Sequence, residues 1–203
     1  MSPLRKEEPR YTYKDYITWD ENFKCELIDG IPYVDGKPYD EIPPKAVMLA
    51  PAPAWQHQMV SGELFFRIRA FLEGKPCKVF SSPFDVRLNT DEGDDTVVQP
   101  DIVVICDSNK LSGTGCIGAP DMVIEVSSPS TTRRDKLDKF KMYQKAGVRE
   151  YWIVEPDTKL TDVVIFKKEG YDMTRYSDKD IIPSYVLTGC EINMNDIFYD
   201  REF

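Results

Sequence analysis

The sequence predicts a single α/β or α+β domain, and three observations carry that expectation. Two short β-branched runs, Ile102-Val103-Val104-Ile105 and Met122-Val123-Ile124-Glu125-Val126, read as buried strands. The stretch from Trp55 to Leu72 places Met59, Val60, Leu64, Phe65, Ile68 and Leu72 on one helical face, with Gly74 as a stop signal. A second helical pattern, Thr132 to Ala146, separates the paired runs from a third strand at Glu150-Tyr151-Trp152-Ile153-Val154.

At 203 residues the chain is long enough for one ordinary core and too short for two large ones, so residues 11–203 are expected to form one unit behind a loose tail at 1–10. No apolar run reaches the roughly 18 residues of a membrane span, and Met1 to Arg10 lacks the apolar region of a signal peptide. The expected compartment is the cytoplasm. Five cysteines (Cys25, Cys77, Cys106, Cys116, Cys190) are widely spaced without a Cys-x-x-Cys pair, and they read as ordinary thiols. The net charge of −9 argues against a protein that holds nucleic acid mainly by neutralising phosphates. It leaves room for an enzyme whose acids gather at a metal while Arg133, Arg134 and Lys141 face the substrate.

Taken in order, Thr12 can cap a short helix reaching Trp19. Lys24 to Ile28 and Ile31 to Val34 flank Asp29-Gly30, a type I′ hairpin signal, with Pro32 marking the second strand as an edge. The proline-rich stretch from Asp35 to Pro53 offers one strand-like run, Val47-Met48-Leu49. After the long helix come runs at Lys78 to Phe80 and Phe84 to Leu88, then an acidic loop, Asp91 to Asp95, whose acids are expected to be solvated. Beyond the central unit, Val163 to Phe166 and Tyr171 to Tyr176 form an expected hairpin around Glu169-Gly170, and Ile181 to Phe203 supplies apolar groups to cover the core.

The chemistry sits between Gln99 and Tyr151. Asp101 follows Pro100 at the start of one apolar strand, and Glu125 lies inside the next. A carboxylate in an apolar strand is costly without a partner, and two on successive strands can share one hard cation, Mg²⁺ or Mn²⁺. Hydrolysis of a phosphodiester also calls for a cation to offset charge on the phosphoryl oxygens. Glu125 and Ser127 share a strand face, yet position 127 carries no charge. The following helix, capped by Ser130, Thr131 or Thr132 with Asp135 in a capping-box position, can supply it. Lys139 lies on the flank of the buried face expected from Leu137, Phe140 and Tyr143; Lys136, nearer the centre of that stripe, competes with it. The aromatic residues Tyr143, Tyr151 and Trp152 read as core.

Several segments in order, Glu26-Leu27-Ile28-Asp29-Gly30, Gln99-Pro100-Asp101, Ile124 to Thr131, Arg134-Asp135, Lys139, Tyr143 and Ala146 to Val154, resemble the Uma family of restriction-endonuclease-like proteins, within the PD-(D/E)xK nuclease superfamily. The resemblance runs from about Tyr13 to the C-terminal strands. It implies a mixed sheet flanked by helices and a metal-dependent endonuclease acting on DNA, with Asp101 and Glu125 as metal ligands. It also implies a lysine displaced from position 127 to Lys139, and Glu26 in an ancillary role. His57, the only histidine, matches one common in the family at the start of the long helix, where it can contact metal, substrate or the helix terminus. Two other readings stand beside it: a nuclease-fold module without catalysis that binds nucleic acid or a protein partner, and a hydrolase of a small phosphorylated compound. A homodimer would bring two sites to two strands, though no interface can be read from the sequence.

Overall fold

The two apolar runs are buried on both sides because each lies inside a sheet covered on both faces. In the computed structural model, which describes residues 10–19, 25–34, 37–39, 54–127 and 133–198, with the side chains of 133–135 outside that set, the elements follow in this order. The N-terminal part holds α1 (Tyr13–Tyr16), β1 (Glu26–Ile28), β2 (Ile31–Val34), β3 (Lys37–Pro38) and α2 (Trp55–Phe71). The middle holds β4 (Lys78–Ser81), β5 (Asp85–Arg87), β6 (Val97–Val98), β7 (Ile102–Ile105), β8 (Gly115–Ile117), β9 (Met122–Val126) and α3 (Arg133–Ala146). The rest is β10 (Glu150–Glu155), β11 (Leu160–Phe166), β12 (Tyr171–Ser177), β13 (Ile181–Pro183) and β14 (Glu191–Asn193).

One mixed sheet runs β12-β11-β10-β9-β7-β4, with β9 and β10 parallel and the other neighbours antiparallel. The parallel pair is the one joined by a helix, α3, because a parallel return needs a crossover. Alternation along the strands divides the core. Ile102, Val104, Ile124 and Trp152 pack with Val60, Leu64 and Ile68 of α2 and with the C-terminal Ile182, Leu187 and Met194. Val103, Ile105, Val123 and Tyr151 pack on the other side with Tyr143 of α3 and with Val86 and Val98. Leu64 and Ile68 are fully buried, each contributing about 1.5–3 kcal/mol over an exposed position.

A second sheet, β3-β2-β1-β6-β5-β8, brings the N-terminal hairpin to the α3 side. Asp29 and Gly30 both take positive φ, 48° and 75°, as a type I′ turn requires. The turn is fastened to the acidic loop by Gly30 N donating to Asp95 O at 2.8 Å and Asp29 N donating to Thr96 Oγ1 at 3.2 Å. Asp94 and Asp95 of that loop are engaged internally, by Arg87 and by Asn89. At β8 the parallel pairing with β5 is so close that a Cβ on Gly115 would lie 2.1 Å from Asp85 O.

Several expectations are corrected. The first helix ends at Tyr16 and not Trp19. Pro32 does not mark an edge, because the two-residue β3 pairs outside β2. The thiol reading fails for two cysteines: Cys77 and Cys106 are joined by a disulfide, while Cys25, Cys116 and Cys190 are free and buried. The cause is register, since Lys78 pairs with Ile105 and the next position outward sets Cys77 beside Cys106. The strand expected at Val47 to Leu49, most of the expected tail at 1–10 and the capping residues Ser130 to Thr132 lie outside the described residues.

Candidate active site

Register brings the two acids together. Val103 pairs with Val123 and Ile102 with Ile124, so one further step along the antiparallel pair sets Asp101 opposite Glu125, on one face with Cβ atoms about 5 Å apart in an ideal ladder. Two like charges placed this way repel, and the surrounding groups offset that repulsion. Lys139 Nζ donates to Glu125 Oε1 at 2.9 Å and to Glu26 Oε1 at 3.2 Å, and Tyr143 OH donates to Glu125 Oε1 at 2.7 Å. Asp101 Oδ2 accepts from Val126 N at 2.7 Å and lies 3.2 Å from His57 Nε2.

Five elements thus converge: β1 supplies Glu26, the first turn of α2 supplies His57, the residue entering β7 is Asp101, β9 supplies Glu125, and α3 supplies Lys139. The side chains of Asp101, Glu125, Lys139, Glu26 and His57 are 14–23% exposed, buried enough for strong electrostatics and open enough for a ligand to reach them. Burial, with Asp101 and Glu26 close by, outweighs Lys139 and pushes the Glu125 carboxyl up to about 7. Burial works against the Lys139 ammonium, but Glu125 and Glu26 more than compensate and hold it well above its ordinary value. The hydrogen bond to Asp101 raises His57, against the opposing effect of burial. Its other nitrogen, Nδ1, is buried without a hydrogen-bond partner among the described residues.

The structure separates the two lysines the sequence left in competition. Lys136 donates to Glu155 at the end of β10, away from the acids, while Lys139 bridges Glu125 and Glu26. Ser127 Oγ donates to Val154 O at 3.3 Å and so serves the sheet. Lys141 is exposed on α3, and so is Leu137, which was expected on its buried face; the side chains of Arg133, Arg134 and Asp135 lie outside the described residues. Tyr143 is core as expected in its ring, which packs at a tilt against Tyr151, but its hydroxyl belongs to the site. Its spacing of four from Lys139 was the available signal.

In the polar layer behind the site, Gln99 stands in a segment that carries the family resemblance, whereas its partners Tyr16 and Asp85 have no such signal in the sequence. Gln99 Nε2 donates to Asp85 Oδ1 at 2.8 Å and to Tyr16 OH at 3.2 Å, and Gln99 N donates to Glu26 Oε1 at 3.4 Å. These contacts tie Glu26 to β5 and α1, elements far apart in the chain.

The sequence matches the Uma2 family, described as "Putative restriction endonuclease", over residues 13–195. The chain belongs to this family. A Synechocystis sp. (strain ATCC 27184 / PCC 6803 / Kazusa) protein, slr1290, described as uncharacterized, is 24% identical over 166 residues, covering 81% of this chain and 78% of that protein. Among solved structures, a protein from Anabaena variabilis ATCC 29413 described as "a putative nuclease belonging to DUF820" superposes with a TM-score of 0.68 at 17% identity, covering 92% of this chain and 97% of that one. At that identity the likeness establishes the fold, and it agrees with the restriction-endonuclease-like architecture the Uma2 resemblance implies.

A hard divalent cation suits the donor chemistry of the pair. The hydrogen bonds described fall on Oε1 of Glu125 and Oδ2 of Asp101, leaving Oε2 and Oδ1 as oxygen donors. No trio of His, Cys, Asp or Glu side chains is gathered for a metal among the described residues, so other ligands would be water, backbone or substrate. That ligand set fits Mg²⁺, which dehydrates reluctantly and is commonly held by one or two carboxylates plus phosphate.

Proposed function

We propose that this Uma2 protein is a Mg²⁺- or Mn²⁺-dependent endonuclease that hydrolyses phosphodiester bonds, most naturally in DNA. The observation that carries the reading is the ordered convergence of Asp101, Glu125 and Lys139, with Glu26 behind them, in a chain of this family. Asp101 and Glu125 would hold the metal, which when bound polarises the phosphoryl oxygen and acidifies a water. Lys139, kept as an ammonium by two carboxylates, offsets the charge that grows on the phosphoryl oxygens and orients the attacking water. Glu26 shares the lysine and fixes the direction of its Nζ. Tyr143 holds Glu125 Oε1 in place, and His57 holds Asp101.

Ser127, standing where a lysine is expected, and the net charge of −9 favour a second reading, a nuclease-fold module that binds without cutting. Titration calorimetry of Mn²⁺ into the wild type and Asp101→Asn, followed by incubation of both with oligonucleotides and Mn²⁺, separates the two. Metal binding and cleavage that both vanish in the folded mutant support the enzyme. Nucleic-acid binding with no cleavage by the wild type favours the module.

A further inference from the structure

Beside the Glu26–Lys139 pair lies a cavity of about 690 Å³, walled by the β1–β2 hairpin, the loop after β5 and one face of α3. Its volume is within the about 300–1,000 Å³ that small-molecule and cofactor sites occupy, and is far too small for a stacked duplex. We propose that this cavity is the subsite for an unstacked nucleobase, so that the strand cut at Lys139 presents one nucleotide out of the helix. This rests on the nuclease reading above, whose lysine is part of the cavity's lining.

The lining has the chemistry of a base pocket. Ile28, Leu88, Ala119 and Met142 give apolar surface, and Tyr33 adds an aromatic wall of the kind on which bases stack. Acids outnumber the ammonium groups of Lys139, Lys141 and Lys145 by two along this lining, most of them solvent-exposed. A phosphate is disfavoured inside such a cavity, whereas a neutral base carrying amino donors is matched by carboxylate acceptors. The phosphate therefore stays at the Lys139 end and the base enters. A cavity that accepts from an amino group discriminates against thymine, which has none.

The test is titration of dAMP, dCMP and dTMP into the intact wild type, Met142→Trp and Thr90→Tyr, with thermal melts to verify that each variant is folded. The inference expects dAMP or dCMP to bind about tenfold tighter than dTMP, and each filling variant to weaken that binding at least about tenfold. Nucleotides that fail to bind, that all bind alike, or whose binding neither filling variant weakens overturn it. Cleavage with Mn²⁺ then names the source of the base: preference for a single strand, or for a duplex carrying a mismatch, supports the subsite in either form. A matched duplex cut as fast as a single strand, with no effect of Met142→Trp, overturns the subsite and leaves the nuclease standing. Selective nucleotide binding without cleavage of any strand overturns the nuclease and keeps the pocket.

Discussion

Glu125 and Glu150 stand on neighbouring strands of one sheet, and they are held in opposite ways. Glu150 is fully buried and accepts from Trp152 Nε1, Ser184 Oγ and Val186 N, all at 2.8 Å. Three donors with no charge of their own satisfy it, and they pin the C-terminal segment to the sheet. Glu125 instead shares one oxygen with Lys139 and Tyr143, faces Asp101 and Glu26, and keeps 14% of its side chain exposed. A buried acid that builds the fold is saturated by dedicated donors. One suited to chemistry is crowded by like charge and left with an oxygen to offer.

That contrast can be broken by mutation. Glu150→Ala strands three buried donors and should cost about 3–5 kcal/mol, lowering Tm by roughly 10 °C; a melt within 2 °C or so of wild type would end the structural assignment. Lys139→Met keeps the stem but removes the charge, and should slow cleavage by about 10²–10³-fold with the fold retained, as single-turnover kinetics on an oligonucleotide would measure.

Glu125→Gln should act in the opposite direction to Glu150→Ala on stability. Because the folded carboxyl is raised from its ordinary value of 4.5 to about 7, the native state holds more protons than the unfolded chain between those values. Stability of the metal-free protein therefore falls as pH rises through that window. Removing the charge should raise Tm at pH 8 in chelator by about 2–4 °C, equivalent to on the order of 1 kcal/mol, and change it little at pH 5. Calorimetric scans at the two pH values check the sign. Tyr143→Phe, which deletes one hydroxyl, is the smallest change: about 0.5–1.5 kcal/mol of stability, with a measurable downward shift of the Glu125 titration ruled out, since a donor to the carboxylate has been lost.

The site was legible where it depends on local pattern. Asp101 and Glu125 could be read from two β-branched runs because alternation and an antiparallel step place them together. Lys139 and Lys136 could not be separated by helical projection, since the choice depends on Glu155, a partner on another strand. Short strands such as Val97–Val98 and Gly115–Ile117 exist only through long-range pairing, and two or three residues carry no period to read. The Cys77–Cys106 bond hides for the same reason, as it follows from the β4–β7 register and not from any spacing. Glu150 looked like any acid opening an apolar strand, because its donors at 184 and 186 are remote in sequence.

Glu26 and Lys139 meet across 113 positions, and this separation has a consequence for how the protein is made. A ribosome synthesising the chain releases the first acid long before the lysine that pairs with it, and α3 must clear the exit tunnel before the cluster can close. The nascent chain therefore carries Glu26 without its lysine until α3 has emerged, and the cluster is assembled only then.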